Sequence, residues 1–235
     1  MGDAELLRGR DAMMLCEMFV AFQGEGETLG VESVFVRLHG CPIQCSWCDT
    51  PYTWNGTERG TRIGEADLAA KVIQLARASY VDNVVVTGGE PGINKNLAAM
   101  VGALVAAGLT VEIETTGMVP MPAGLAMRGV RFNVSPKLAS ANARMSVSAN
   151  IVAQWLAHEP SVLKFVVDDE QDMDEALQLV NKLDVDRRRV YLMPEATTRA
   201  ELHTAQAALL KMAAGTGFRV TTRMHVLAHD GERRT

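Results

Sequence analysis

Read for hydrophobic period, the chain alternates between two patterns. Short runs rich in Val, Ile, Leu and Phe fall at 33–39, 83–87, 110–114, 130–134, 161–167, 189–193 and 219–222. Most of them lack the apolar-polar alternation of a strand with one wet face, which predicts strands buried on both faces. Between them, apolar residues recur at helical spacing over 65–79 (Leu68, Val72, Leu75, Ala76), 96–107, 173–183 and 199–214. Acidic or capping residues stand at the starts, and glycine or a charge break at most of the ends. Strands alternating with helices predict βα units around a mostly parallel sheet. About six parallel strands are too few to close an eight-stranded barrel, so the fold class expected is α/β, an incomplete TIM-like β/α barrel. The stretch 137–148 is small, polar and irregular and reads as a loop. One domain is expected over 1–235, with 1–11 and the charged tail 229–235 fraying at its ends.

In such sheets ligands gather where strands end at their C-terminal edge, and the chemistry-bearing residues fall there. Cys41 follows the first predicted sheet strand and Gly88-Gly89-Glu90-Pro91 the second; Glu114-Thr115 ends the third, Ser135-Pro136-Lys137 follows the fourth and Met193-Pro194 closes the sixth. The most informative of these is Cys41-Pro42-Ile43-Gln44-Cys45-Ser46-Trp47-Cys48, three thiols in one short loop. A 4Fe-4S cluster held by three thiolates keeps one iron open for a ligand that takes part in chemistry. Zinc is the alternative, but its structural sites usually pair two Cys-x2-Cys elements, and this chain has no second pair. Its other cysteine, Cys16, lies in the apolar run Met13-Met14-Leu15-Cys16 and reads as a small buried core residue. A zinc-stapled binding module, with Cys16 or His39 as fourth ligand, stays open as the non-enzymatic reading.

Composition narrows the choice. With 235 residues, 48% of them hydrophobic, the chain can bury a full core. A net charge of -5 supplies no basic field for phosphates, so direct nucleic-acid binding is not expected and a small-molecule substrate is. The N-terminus lacks a basic segment followed by an apolar one, and no apolar run reaches spanning length. A cytoplasmic chain with reduced thiols and no membrane partner is expected.

The cysteine loop together with Gly88-Gly89-Glu90-Pro91 resembles the radical S-adenosylmethionine enzymes. More narrowly, Phe22-Gln23-Gly24-Glu25-Gly26, Phe35-Val36-Arg37-Leu38-His39-Gly40-Cys41, Trp47-Cys48-Asp49-Thr50, Thr87-Gly88-Gly89-Glu90-Pro91, Glu114-Thr115-Thr116-Gly117 and Ser135-Pro136-Lys137 resemble the 7-carboxy-7-deazaguanine synthase family. The resemblance implies conversion of 6-carboxy-5,6,7,8-tetrahydropterin to 7-carboxy-7-deazaguanine with loss of ammonia, a step in queuosine and 7-deazapurine biosynthesis. It implies a 4Fe-4S cluster on Cys41, Cys45 and Cys48, S-adenosylmethionine on the open iron, and a 5′-deoxyadenosyl radical that takes hydrogen from C6 of the pterin, the cofactor being regenerated. It further implies Mg2+, an electron donor such as flavodoxin or ferredoxin, and a homodimer. The rival within the enzyme class is a radical-generating activase of a partner protein, which needs an open rim and a second cluster motif.

Residue by residue, the resemblance gives the cofactor's methionine part to Gly89 and Glu90, with the Glu90 carboxylate accepting from the ammonium. Ser135, Pro136 and Lys137 take its ribose and carboxylate side, and Trp47 its adenine. Met193 stands where many relatives have glutamine, so backbone contact is expected from Met193 and Pro194. A pterin's N–H and amine edge suits a carboxylate, and Glu114 is the candidate. Phe22, Gln23 and Gly24 form the implied substrate loop, Thr87 adds a hydroxyl, His225 a ring nitrogen, and Arg37 a bidentate partner for the substrate carboxylate. The Thr50 hydroxyl is implied to bind the magnesium ion. Taken singly, Gly-Gly-Glu-Pro reads as a strand-to-helix turn, Trp47 and His225 as packing residues, and Thr50 as a turn residue. The tail after His225 departs from the family's endings, and its contacts are unassigned.

Overall fold

A computed structural model describes residues 12–234 of the chain; the fraying expected of 1–11 and of residue 235 lies outside them. Among the described residues nine strands form one sheet: β1 (Ala12–Phe22), β2 (Glu32–Leu38), β3 (Thr61–Gly64), β4 (Asn83–Gly88), β5 (Thr110–Thr115), β6 (Val130–Val134), β7 (Ser161–Val167), β8 (Val190–Pro194) and β9 (Arg219–Val220). Their spatial order is β3-β1-β2-β4-β5-β6-β7-β8-β9. From β2 through β9 every neighbouring pair is parallel. β1 and β3 extend the sheet antiparallel at one end. With β3 and β9 as its two edges the sheet stays unclosed, the incomplete barrel that the strand pattern predicted.

The helices are α1 (Glu65–Ser79), α2 (Leu97–Ala106), α3 (Ala149–Leu156), α4 (Glu170–Leu183), α5 (Arg199–Ala213) and α6 (Met224–His229). Each crossover helix turns an apolar stripe to the sheet. In α1 the buried residues Leu68, Val72 and Ala76 recur every fourth position, one face of the helix. α4 begins at Asp169, whose side chain accepts from the Asp172 N–H, and α5 at a Thr198/Glu201 capping box, which satisfy orphan donors of the first turn.

The parallel strands carry an alternation that the apolar runs concealed. Val34, Val36 and Leu38 of β2, Val84 and Val86 of β4, Val111 and Ile113 of β5, Phe132 and Val134 of β6, and Leu163, Phe165 and Val167 of β7 pack with the helices in the main core. The intervening side chains, Arg37, Thr87, Glu112, Glu114, Asn133 and Lys164, therefore point to the opposite, concave face. Both faces are buried, as predicted, but only the outer one is apolar throughout. The inner polar row positions the site.

Cys16 departs from its expected place. It lies on β1 at a register shift between Leu15 and Glu17, is only half-buried, and its Sγ stands 4.0 Å from Arg233 Nη2. The tail reaches the same strand: Arg233 Nε and Arg234 Nε donate to Glu17 Oε2 at 3.0 and 2.7 Å, and the Arg233 guanidinium lies 3.8 Å from the centre of the Tyr52 ring.

Candidate active site

The concave face and the C-terminal strand ends enclose a cavity of about 520 Å³. Of the residues singled out in the sequence, Cys41, Cys45, Cys48, Trp47, Thr50, Gln23, Arg37, Thr87, Gly89, Glu114, Ser135, Lys137, Met193 and His225 line it. Phe22, Gly24, Glu90, Pro136 and Pro194 do not.

The cysteine loop leaves β2 and is pinned from behind. Ile43 is fully buried against Met118 and Ala141, Ser46 N donates to Ala141 O at 2.9 Å and Arg144 N to Ile43 O at 2.8 Å. The irregular stretch after Lys137 thus serves as the loop's backing. The Gly88-Gly89 turn packs so close that a Cβ on Gly89 would stand 2.0 Å from Gly40 O and 3.1 Å from Cys41 Cβ; Gly88, at φ +129, would drive one into the Leu38 backbone. Burial raises the Cys41 and Cys45 thiols above the ordinary value, a cost that iron coordination removes by taking the thiolate. Among the described residues, no group of three His, Cys, Asp or Glu side chains is arranged to hold a single metal ion. A zinc staple needs its sulfurs about 2.3 Å from one ion, whereas a cluster carries each thiolate on a different iron. Cys16 and His39, the fourth ligands such a staple would use, lie outside the cavity. The donor set fits a cluster.

Beside the cysteines, Lys137 Nζ donates to Ser135 Oγ at 3.2 Å and sits 5.6 Å from the centre of the Trp47 ring. The buried Trp47 Nε1 has no partner among the described residues, a donor held ready for a ligand acceptor. Glu90 is placed otherwise than expected. It is fully buried; Oε1 accepts from Thr115 Oγ1 at 2.7 Å and Gly92 N at 2.8 Å, and Oε2 from Thr116 N at 2.7 Å and Thr116 Oγ1 at 2.5 Å. Four donors occupy the carboxylate, so Glu90 ties the end of β4 to the end of β5 rather than facing a ligand.

On the other side of the cavity, Glu114 is held by both oxygens. Gln23 Nε2 donates to Oε1 at 3.0 Å and Thr87 Oγ1 to Oε2 at 2.7 Å, while Lys164 Nζ lies 3.9 Å away. Arg37 Nε is taken by Glu17 Oε1 at 2.7 Å. Gly24 earns its place by close approach: a Cβ there would stand 2.1 Å from His225 Nδ1, and Met224 N donates to Gly24 O at 2.9 Å, docking α6 on the substrate loop. Thr50 caps no backbone group; its hydroxyl is 3.8 Å from Cys48 Sγ. Phe22, expected at the substrate, is 55% exposed and lies away from the cavity.

Several cavity residues escaped the sequence reading. Glu25 accepts from Lys164 Nζ at 2.5 Å and Arg223 Nε at 3.0 Å, with His225 Nε2 at 3.9 Å, and Arg223 pairs in turn with Asp49. Burial alone would raise the Glu25 carboxyl, but Lys164 and then Arg223 outweigh it and hold the group far below the usual carboxylate range. Burial lowers the His225 imidazole. Below Glu114, burial and then the Glu114 charge raise the Glu112 carboxyl, which takes the Thr28 hydroxyl at 2.5 Å. Asn133 is 2% exposed, and its Oδ1 has no partner among the described residues. Glu25 and Asp49 stood inside the family motifs and were the signals available; Lys164, Glu112 and Asn133 are single polar residues within strands, and Arg223 lies in the segment before α6.

Comparison with known proteins agrees with this geometry. Residues 35–195 match the model of the Radical SAM superfamily, and an open parallel sheet with three cysteines at its rim is what defines that class; the chain belongs to it. Among curated proteins it is 39% identical over 220 residues to the 7-carboxy-7-deazaguanine synthase of Pyrobaculum aerophilum, covering 92% of this chain and 95% of that one. It is 36% identical to the synthase of Rhodopirellula baltica, covering 96% and 89%. The crystal structure of QueE from Escherichia coli superposes with a TM-score of 0.73 at 25% identity, over 95% of this chain and 99% of that one. Within the superfamily the chain is a member of the 7-carboxy-7-deazaguanine synthase family.

Proposed function

We propose that this chain is a radical S-adenosylmethionine lyase converting 6-carboxy-5,6,7,8-tetrahydropterin to 7-carboxy-7-deazaguanine with loss of ammonia. The observation that carries the reading is that Cys41, Cys45 and Cys48 share one cavity with a carboxylate, Glu114, held by Thr87 and Gln23. When bound, the cluster and S-adenosylmethionine supply a 5′-deoxyadenosyl radical by one-electron cleavage of a carbon–sulfur bond.

The chain's own residues bind, orient and exclude water. Cys41, Cys45 and Cys48 hold the cluster; Trp47, Ser135, Lys137, Met193 and the Gly88-Gly89 backbone border the cofactor. With Glu90 spent inside, backbone carbonyls of that turn are left to receive the ammonium. Glu114 receives the pterin's N–H and amine edge as it would a guanidinium, and Asn133 Oδ1 offers a second acceptor. Arg37, fixed through Nε, keeps its Nη groups for the substrate carboxylate. Thr50 and that carboxylate would together hold the magnesium ion, which would neutralise the carboxylate's charge. His225, kept neutral by burial, is a ring partner that adds no charge. An external one-electron donor of the flavodoxin or ferredoxin type and a homodimer, carried from the resemblance, and a cytoplasmic setting, carried from the sequence pattern, complete the reading. No helix of the described residues is long and apolar enough to cross a membrane.

The test is product formation. Anaerobically reconstituted protein, given the tetrahydropterin, S-adenosylmethionine, Mg2+ and reductant, is expected to yield 7-carboxy-7-deazaguanine by mass spectrometry. Cleavage of S-adenosylmethionine to 5′-deoxyadenosine with the pterin returned unchanged would overturn the substrate assignment.

A further inference from the structure

Two tryptophans border the cysteine loop, and their indole nitrogens differ. Trp47 Nε1 has no partner among the described residues. Trp54 Nε1 stands 3.4 Å from Cys48 Sγ, and since an indole nitrogen only donates, the sulfur is the acceptor. We propose that Trp54 tunes the cluster: its N–H donates to the Cys48 thiolate and raises the reduction potential at which the cluster accepts its electron. The inference rests on reading Cys41, Cys45 and Cys48 as the ligands.

The chain builds this contact rather than leaving it to chance. Cys48-Asp49-Thr50 runs straight into a 3-10 turn at Pro51–Thr53, and Trp54 closes it, its N–H donating to Pro51 O at 3.1 Å. Inside the turn, Thr53 N and Thr53 Oγ1 both donate to Thr50 O, at 3.0 and 2.8 Å. Gly40 N donates to Thr53 O at 2.8 Å, so the residue before Cys41 is tied to the turn that carries Trp54. Both ends of the cysteine loop thus fix the indole, and Trp54 itself borders the cavity. The other polar neighbour of the same sulfur, the Thr50 hydroxyl, is farther off at 3.8 Å.

The physical effect has one sign. The cluster takes one electron from the external donor, and the added negative charge spreads onto the ligating sulfurs. An N–H dipole aimed at a sulfur stabilises the reduced form more than the oxidised one, and hydrogen bonds to the sulfurs are among the protein's levers on the potential. No proton leaves Trp54.

Trp54→Phe keeps an aromatic ring in place and deletes the donor. In a redox titration of the reconstituted protein, followed by electron paramagnetic resonance, the variant is expected to hold the parent's iron content and to titrate at more negative potential. The expected loss is several-fold to about tenfold in the one-electron equilibrium constant, tenfold being about 59 mV. A purely packing role would not move the potential. Should Trp54→Phe take up less iron, the same titration is run with benzothienylalanine at position 54, which keeps the bicyclic shape and carries sulfur in place of N–H. An unchanged potential in the variant that carries full iron overturns the proposal alone. A parent protein that assembles no four-iron cluster overturns the ligand reading beneath it.

Discussion

Replacing Glu114 by glutamine is the sharpest perturbation of the substrate half of the site, because it changes one atom and the surroundings dictate the result. The native carboxylate receives Gln23 Nε2 on Oε1 and Thr87 Oγ1 on Oε2, and each oxygen keeps a lone pair for the pterin edge. A glutamine offers one oxygen and one NH2. If its oxygen faces Thr87, its NH2 opposes both the Gln23 amide and a substrate donor; the reverse placement sets it against the Thr87 hydroxyl, which can then only accept. Either way one charge-assisted hydrogen bond to substrate is lost, worth about 1.5–3 kcal/mol, or about 10- to 150-fold in affinity. Anaerobic calorimetry with the tetrahydropterin and with S-adenosylmethionine, titrated separately, reads the effect. The expected outcome is a loss confined to the pterin, with iron content unchanged. Equal weakening of both ligands, or none of either, would refute the reasoning and make Glu114 a structural partner of Gln23 and Thr87.

Other outcomes follow from the same geometry. Cys45→Ala should abolish iron incorporation and S-adenosylmethionine cleavage, whereas Cys16→Ala, outside the cavity, should keep the parent's iron; loss of the cluster in Cys16→Ala would end the three-ligand account. Thr50→Val keeps the shape and removes an oxygen, so a magnesium titration of turnover should shift by at least about tenfold with iron unchanged; a full response would return Thr50 to the role of a turn residue. Glu25→Gln leaves Lys164 and Arg223 without their shared counter-charge, which should cost about 3–5 kcal/mol and lower Tm by about 6–20 °C. Because the folded Glu25 carboxyl lies below its unfolded value, its contribution is complete above the ordinary carboxylate range and is lost as pH falls toward the folded value. Thermal scans from pH 5 to pH 3 should therefore fall more steeply for the parent than for Glu25→Gln, and parallel slopes would contradict the pairing.

What could be read from the chain follows the range of the interactions. Strands at 130–134 and 161–167 were placed to the residue because their apolar runs are bounded by turn residues and buried on both faces. β1 was not, since Ala12–Phe22 is rich in Met, Ala, Leu and Glu, which favour helix locally; its antiparallel pairing with β2 decides the matter. α3 is short and has neither an acidic first turn nor a side-chain cap, so its start left no signal. The rim residues were legible as motifs because each stands beside a strand end. Their mutual pairings were not: Glu25 meets Lys164 and Arg223 only after the sheet brings β7 and the C-terminal segment to the loop after β1. Glu90 shows the same limit, its carboxylate turned inward because Thr115 and Thr116 end the neighbouring strand.

The central claim is that three thiolates from the loop after β2 hold a four-iron cluster whose fourth iron receives S-adenosylmethionine. Electron-nuclear double resonance on the reduced, reconstituted protein with S-adenosylmethionine labelled with 15N at its amino group tests it most directly. The account predicts a four-iron signal with 15N hyperfine coupling strong enough to require nitrogen bound to iron. A cluster whose spectrum shows no coupling to the label, or a protein that retains zinc in place of iron, would contradict it.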